Sequence, residues 1–386
     1  MKRVAILGAS GFVGATLVER LLEQRKAEIV PFIHNSGNAM RLARLGIDLP
    51  AVDLLDQKQL EMALRGCTHV VNCALGNAHA ATRGLRNLLA ASRKNQIERF
   101  IHLSSVLVYG DPPPPDSVHE SAQTHPTGTY GRVKLQQDRM VQQACRAGLP
   151  SIILCPPNIS GPYSAFLIKL VDALRAGAFA LVDDGNTPCN LVDVSNLAYA
   201  IEIALDNGTA DGKRMFITDD EKITWHDVIK SLIPVAECIE PVGVTREELR
   251  PLHGTNGKSS FSVMRSLKHV VSREVRAALR KDPFWAKLEE ALSQGVTRLG
   301  KVVEERLRLS IAGPPAITKS NGTQPYNMHL TAQQLRGFRH ECDLAKQELG
   351  YKPVYTFAAS MAAFSAWYRS QHGMDTGDWD LLKLLY

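Results

Sequence analysis

The chain opens on a block of apolar residues, Val4-Ala5-Ile6-Leu7, and apolar positions then recur at helical spacing in Leu17, Val18, Leu21 and Leu22. A short apolar run followed by a 3.6-residue period predicts a buried strand leading into an amphipathic helix over 15–24. The alternation continues. Residues 28–33 read as a second strand, 50–56 as a short third with a polar end, and 59–64 as a brief helix. A fourth strand at 69–74 precedes a helical stretch over 80–94. A fifth, at 100–105, stays largely apolar until it ends in the hydroxyls of Ser104 and Ser105. Another helix is predicted over 129–146. Strands and helices alternating in this way predict right-handed crossovers and an α/β fold with a doubly wound parallel sheet of about seven strands.

Between the first strand and helix stands Gly8-Ala9-Ser10-Gly11-Phe12-Val13-Gly14. Gly8 permits a tight turn, Gly11 lets the backbone approach a pyrophosphate, and Gly14 lets the helix pack on the sheet. The unpaired N–H groups of the helix N-terminus then face the phosphates. This is a dinucleotide cradle of Rossmann type, built by residues 8, 10, 11, 12, 13 and 14. In such sheets ligands gather beyond the strand C-terminal ends, so Ser105, Asp53 and the residues after Asn72 share one crevice.

At the end of the second strand a carboxylate would bind a ribose 2′-OH and repel a 2′-phosphate. None is present: Ile33-His34-Asn35-Ser36 occupies that place, with Arg41 and Arg44 shortly after. The cofactor reading therefore leans to NADP over NAD, with His34 beside the ribose. Two roles for the arginines stay open, holding a 2′-phosphate or capping a solvated helix.

Composition adds bounds. With 386 residues, 45% apolar and 22% charged, the chain buries a sizeable core. No leader-like start and no apolar run of the ~18 residues that cross a bilayer is seen, so the expected compartment is the cytoplasm. Cys67, Cys73, Cys145, Cys155, Cys189, Cys238 and Cys342 are odd in number and never in a C-x-x-C pair, which predicts reduced thiols. No metal site is predicted. A net charge of +6 is too modest to imply nucleic acid, although it suits an anionic small-molecule substrate. The run 111–116, Asp-Pro-Pro-Pro-Pro-Asp, reads as a stiff loop.

Tyr130 and Lys134, four apart at the start of a helix, project from one helical face. A neighbouring ammonium stabilises a phenolate, which predicts a lowered pKa for Tyr130. Ser105 could hold a substrate oxygen while Tyr130 gives or takes its proton, as a nicotinamide donates or accepts hydride.

Gly8-x-x-Gly11-x-x-Gly14, Ser104-Ser105-Val106-Leu107-Val108-Tyr109-Gly110, Tyr130-x-x-x-Lys134 and Pro156-Pro157-Asn158-Ile159-Ser160-Gly161-Pro162 stand in order. In this the chain resembles the extended short-chain dehydrogenases/reductases, which include nucleotide-sugar epimerases and dehydratases. The resemblance covers about residues 1–235 and returns at 344–367, where Glu348-Leu349-Gly350-Tyr351-Lys352-Pro353 is similar to the family's closing segment. It implies NAD or NADP as cofactor and Ser105, Tyr130 and Lys134 as the catalytic set, with Tyr130 and Lys134 also touching the cofactor. It further implies Asp53 and Leu54 by the adenine, Cys73, Ala74 and Leu75 along the cofactor, Pro157 beside the nicotinamide and Asn158 toward substrate.

Departures from the family pattern narrow the reaction. Cys155 stands where many members have Arg, Cys189 replaces the Arg that nucleotide-sugar enzymes set against a diphosphate, and Asn196 replaces a usual Asp. Asn196, with Phe216-Ile217-Thr218-Asp219-Asp220 and Ile223-Thr224-Trp225, is closer to the 3β-hydroxysteroid dehydrogenase branch. Val106 and Leu107 bear no acid, which weighs against a dehydratase. The reading is hydride transfer between NAD(P) and a substrate carbonyl or secondary alcohol. A nucleotide-sugar epimerase with tightly bound NAD is the alternative. A non-catalytic NAD(P)-binding regulator is a third, against which Ser105, Tyr130 and Lys134 argue.

The resemblance also implies an interleaved organisation. A dinucleotide-binding domain takes 1–155 with about 191–205, and a smaller substrate domain takes 156–190 and 206–386. Within the latter, about 245–321 forms a basic helical insertion, with Arg265, Lys268, Arg273, Arg276, Arg280 and Lys281 ahead of apolar positions at helical spacing. Three roles stay open for it: packing on the small domain or on a second subunit of a homodimer, a lid over substrate, or a basic face on a membrane surface.

Overall fold

The computed structural model describes residues 2–35, 39–111, 113–114, 117–247 and 326–372. The insertion read at 245–321 lies almost wholly outside them. Strand β1 (Lys2–Leu7) is followed by α1 (Phe12–Gln24), β2 (Ala27–Phe32) and the short helices α2 (Met40–Ala43) and α3 (Gln57–Ala63). Next come β3 (His69–Asn72), α4 (Ala78–Lys94), β4 (Arg99–Leu103), α5 (Thr129–Arg146) and β5 (Ser151–Cys155). Then follow β6 (Asn158–Ser160), α6 (Ala165–Arg175), β7 (Leu181–Val182), β8 (Leu191–Asp193), α7 (Val194–Asp206), β9 (Arg214–Phe216), α8 (Trp225–Ala236) and β10 (Gly243–Val244). Beyond the insertion lie α9 (Met328–Gln334), α10 (Asp343–Leu349) and α11 (Phe357–His372).

Six strands form one parallel sheet in the order β2-β1-β3-β4-β5-β9. The strand order reverses direction at β1, whose neighbours are β2 and β3, and the glycine turn leaves β1 at that switch point. The sheet holds six strands rather than the seven expected. The stretch 50–56 contributes only a single bridge, Ile33 to Ala51, beside β2. Ile33 N donates to Pro50 O and Val52 N to Ile33 O, and Pro50 has no N–H with which to extend the ladder. β9 pairs with β5 in this sheet, past the boundary drawn from sequence at residue 206.

Apolar layers cover both faces. On one, Leu17, Val18 and Leu21 of α1 pack with Leu197, Ala198 and Ile201 of α7 against Val4, Ile6 and Ile101. On the other, Leu85, Leu88 and Leu89 of α4 and Val141 of α5 meet Ala5, Leu7, Val70 and Phe100. A third cluster has its own centre, in Leu167, Leu170 and Leu174 of α6, Trp225, Val228 and Leu232 of α8, and Phe364 of α11. This third core carries the residues that face the strand ends. Among the described residues, no helix is long and apolar enough to cross a membrane, and all seven cysteines are free.

Candidate active site

The glycine turn is sterically obliged. Gly8 has φ +77°, and a Cβ there would lie 2.7 Å from the Cα of Ala74. One on Gly14 would come 2.2 Å from Gly8 O and 2.9 Å from the Cα of Ala9. Gly11 is the N-cap of α1 and has no capping side chain, so N–H groups of the first turn remain open to an anion. Ala74 belongs to the predicted cofactor track with Cys73 and Leu75. The loops after β1 and β3 therefore touch, Cys73 and Ala74 are half-buried, and Leu75 is exposed. Burial pushes the Cys73 thiol up to about 12, so it is an uncharged wall element.

His34 is exposed at the end of β2. The arginines beyond it are engaged with Glu19 of α1. Arg41 Nη2 lies 2.5 Å and Arg44 Nη2 2.7 Å from its carboxylate, Arg41 Nη2 also bonds Thr16 Oγ1 at 3.0 Å, and the guanidinium stacks on Tyr163. Arg41 sits against the first turns of the cradle helix, and Arg44 beside its middle. Asp53 is exposed and Leu54 half-buried; Asp53 Oδ1 accepts from Leu55 N at 2.9 Å. An open hollow of about 590 Å³ beside Asp53, Asp56, Lys58 and Glu61 includes none of Ser105, Tyr130 and Lys134.

At the ends of β4 and β5 the chain builds a second, smaller cavity of about 210 Å³. Ser105, Pro157 and Asn158 lie in its wall, so three of the predicted residues converge there. Ser105 is buried and caps the following 3-10 turn, its Oγ accepting from Leu107 N at 3.2 Å. Asn158 Nδ2 donates to Gln333 Oε1 at 3.1 Å. Tyr130 and Lys134 are outside that wall, in the first turns of α5.

The charge relationship within the Tyr130–Lys134 pair is the reverse of the one expected. Lys134 Nζ stands 5.9 Å from the centre of the Tyr130 ring and donates to Leu103 O at 2.8 Å. The Tyr130 phenol is pushed up to about 12, first by burial and further by the negative charge of Asp138. The residue as a whole keeps 48% exposure. Lys134, 4% exposed, is lowered to about 8 by burial, against the opposing pull of Asp138. At neutral pH this arrangement holds a protonated phenol.

Residues 4–217 match the model of the NAD-dependent epimerase/dehydratase family, more than half of the chain. The chain belongs to that family. A Stigmatella aurantiaca protein, 4-hydroxy-2-methyl-3-oxo-4-farnesyl-3,4-dihydroquinoline-1-oxide ketoreductase, is 27% identical over 254 residues, 62% of this chain and 75% of that one. The Bacillus cereus UDP-glucuronic acid 4-epimerase, solved in complex with NAD, superposes with a TM-score of 0.63 at 14% identity, covering 96% and 99% of the two chains. RMD from Pseudomonas aeruginosa, solved with NADPH, gives 0.59 at 16% identity over 95% and 99%. At these identities the two structures establish the fold.

The epimerase/dehydratase match stops at 217, yet one side of the cavity wall comes from beyond it. Leu330 and Gln333 of α9 and Arg336 just after it lie opposite Phe166 and Lys169 of α6 and Asp111 of the proline loop. Gln334 pins α9 in place, accepting from Val182 N at 2.9 Å and donating to Ala180 O at 2.8 Å. Arg336 donates twice to Asp111 Oδ1, at 3.0 and 2.6 Å. Sequence reasoning missed these residues, and only Phe166 and Lys169, three apart on one helix face, carried a local signal. Cys189, read as the replacement of a diphosphate-binding Arg, is buried, and the Arg336 charge lies near enough to act on its thiol.

Proposed function

We propose that the protein is an NAD(P)-dependent reductase acting on a small molecule with a carbonyl group, or in reverse on a secondary alcohol. The observation that carries this reading is the convergence of Ser105, Pro157 and Asn158 on one cavity at the strand ends where the glycine cradle also opens. A bound nicotinamide would supply the hydride. Ser105 donates a hydrogen bond to the substrate oxygen, Asn158 and Gln333 orient the rest of the molecule, and Tyr130 delivers the proton. A phenol that stays protonated at neutral pH supports the reducing direction, since an acid is what a developing alkoxide needs. Lys134 serves the nicotinamide ribose and the proton path to Tyr130. Free thiols agree with a reducing compartment, which supports the cytoplasm.

For the cofactor the reading stays with NADP. Two guanidiniums and one carboxylate leave a net positive charge beside the cradle, and no acidic residue ends β2. The wall residues after 156 support a division into a dinucleotide-binding part over 1–155 with 191–205, to which β9 adds residues 214–216, and a substrate part built from the remainder.

One observation favours the epimerase as a second reading. Arg336, paired with Asp111, brings a guanidinium from another segment to the cavity near Cys189, where the Arg at 189 is missing. Mass spectrometry of ligands retained on native purification separates the two: NAD with a nucleotide sugar supports the epimerase, exchangeable NADP the reductase. The reductase mechanism itself is tested by Tyr130→Phe, which should lower turnover by orders of magnitude while NADPH affinity changes less than threefold. Near-normal turnover in that variant overturns it.

A further inference from the structure

Beneath the proposed active site lies a buried polar cluster that none of the predicted roles uses. Asp138 follows Lys134 by four residues on α5, and the two share a helical face. Its carboxylate is fully buried; Lys134 is 4% and His102 1% exposed. Asp138 Oδ2 accepts from Arg214 Nε of β9 at 2.8 Å. Oδ1 has no hydrogen-bond partner and lies 4.0 Å from His102 Nε2, which has none either.

The proton positions follow from the neighbours. Asn72 Oδ1 accepts from Ala74 N at 3.2 Å, which fixes the orientation of its amide. Its Nδ2 therefore faces His102 Nδ1, 3.2 Å away, as a donor. His102 Nδ1 is the acceptor, and the ring hydrogen sits on Nε2, toward Asp138. A hydrogen-bonded chain thus runs from the Ala74 backbone, against Gly8, through Asn72 to His102, whose ring faces Asp138 across a 4.0 Å gap. Arg214 in turn donates to the Tyr109 hydroxyl at 3.4 Å.

An ammonium buried as deeply as that of Lys134 loses its proton unless negative charge is near. Its one hydrogen bond in the structure, to Leu103 O, is to a neutral carbonyl. The ionisable groups facing it are Asp138 on α5, Cys155 at the end of β5, Cys73 after β3, His102 on β4 and Tyr130 on its own helix. The two thiols are held neutral by burial and His102 is uncharged for the same reason. Asp138 alone supplies a carboxylate; burial pushes it toward its neutral form, and the Arg214 guanidinium 2.8 Å away favours the ionised one.

We propose that Asp138 is a positioning residue that keeps Lys134 protonated, with Arg214 holding its carboxylate in place. The proposal rests on the reading of Lys134 as the active-site cation. It makes the Lys134 ammonium follow the charge at position 138. Loss of packing alone would shift Lys134 in a charge-neutral and a charge-retaining variant alike.

The test is NMR titration of protein carrying 13Cε-labelled lysine, with the Lys134 resonance assigned from Lys134→Arg. Asp138→Asn should move the Lys134 midpoint down by about one to two pH units, as expected for removal of a unit charge one helical turn away. Asp138→Glu, which keeps the charge while altering the packing, should restore most of it. An unchanged midpoint in Asp138→Asn overturns the proposal, as does a midpoint in Asp138→Glu as low as that in Asp138→Asn. If Asp138→Asn fails to fold, Asp138→Ser is read in its place, with the same expected and overturning results. The midpoint is read without substrate, so it stands or falls separately from the reductase mechanism that Tyr130→Phe tests.

Discussion

Asn158 and Gln333, 175 residues apart, are joined by a side-chain hydrogen bond of 3.1 Å across the cavity that holds Ser105. The bond couples the segment after β5 to a helix outside the family-matched region. Gln333→Ala and Asn158→Ala should each raise the KM for the physiological substrate by about two- to tenfold, the range of a single neutral hydrogen bond. The double variant should cost less than the product of the two. Steady-state kinetics in a double-mutant cycle checks this, and full multiplicativity would mean that the two amides act separately.

The pairing of Arg41 and Arg44 with Glu19 sets up a prediction about cofactor choice. Glu19 is held below the ordinary carboxylate range by hydrogen bonds from both guanidiniums, against the effect of its burial. Glu19→Gln removes the charge that both arginines answer, freeing them for a 2′-phosphate. NADPH affinity should rise about fivefold or more relative to NADH. Fluorescence titration with the two cofactors reads the ratio, and an unchanged ratio would place the arginines outside cofactor recognition.

Gly14→Ala tests the cradle by a steric route. The added carbon would meet Gly8 O and the Cα of Ala9, both backbone, so the start of α1 must move. Cofactor affinity should fall by at least about a hundredfold, with a lower melting temperature that added NADPH no longer raises. Thermal melts with and without NADPH would show it.

What was legible in the sequence follows from what periodicity can encode. The apolar run, the glycines and the helical period at 15–24 each report local backbone geometry, and α1 forms where they indicate. Ser105, Tyr130 and Lys134 sit at a strand end and a helix start for the same reason. The residues 50–56 have the apolar composition of a strand, but that pattern carries no information about whether a neighbour offers a full ladder, and one bridge results. Partner choice between distant charges was the least legible. Arg336 finds Asp111 across 225 residues, and Arg41 finds Glu19 rather than solvent. The supposed effect of Lys134 on Tyr130 failed similarly: spacing put the two on one face, while burial and Asp138 decided the direction of the shift.

Asp219 carries the last prediction, which concerns stability against pH. It is 6% exposed and accepts from Asp193 N at 2.8 and 2.9 Å and from Asn196 Nδ2 at 2.7 Å. Despite these donors, burial pushes its carboxyl up to about 7. In the unfolded chain it titrates near the ordinary value of about 4. Between those values the folded protein binds the extra proton, so stability falls as pH rises from about 4 to 7 and is flat above. Asp219→Asn cannot ionise and loses that slope. Its amide nitrogen turns a donor toward Asp193 N or Asn196 Nδ2, which should cost about 1–3 kcal/mol at pH 5. The deficit relative to the native chain should then shrink as pH rises toward 7, by at most about 1.4 kcal/mol per unit. Urea unfolding of both proteins at pH 5, 6, 7 and 8 measures the gap. A gap of constant size would mean that the two donors outweigh burial and keep Asp219 ionised throughout.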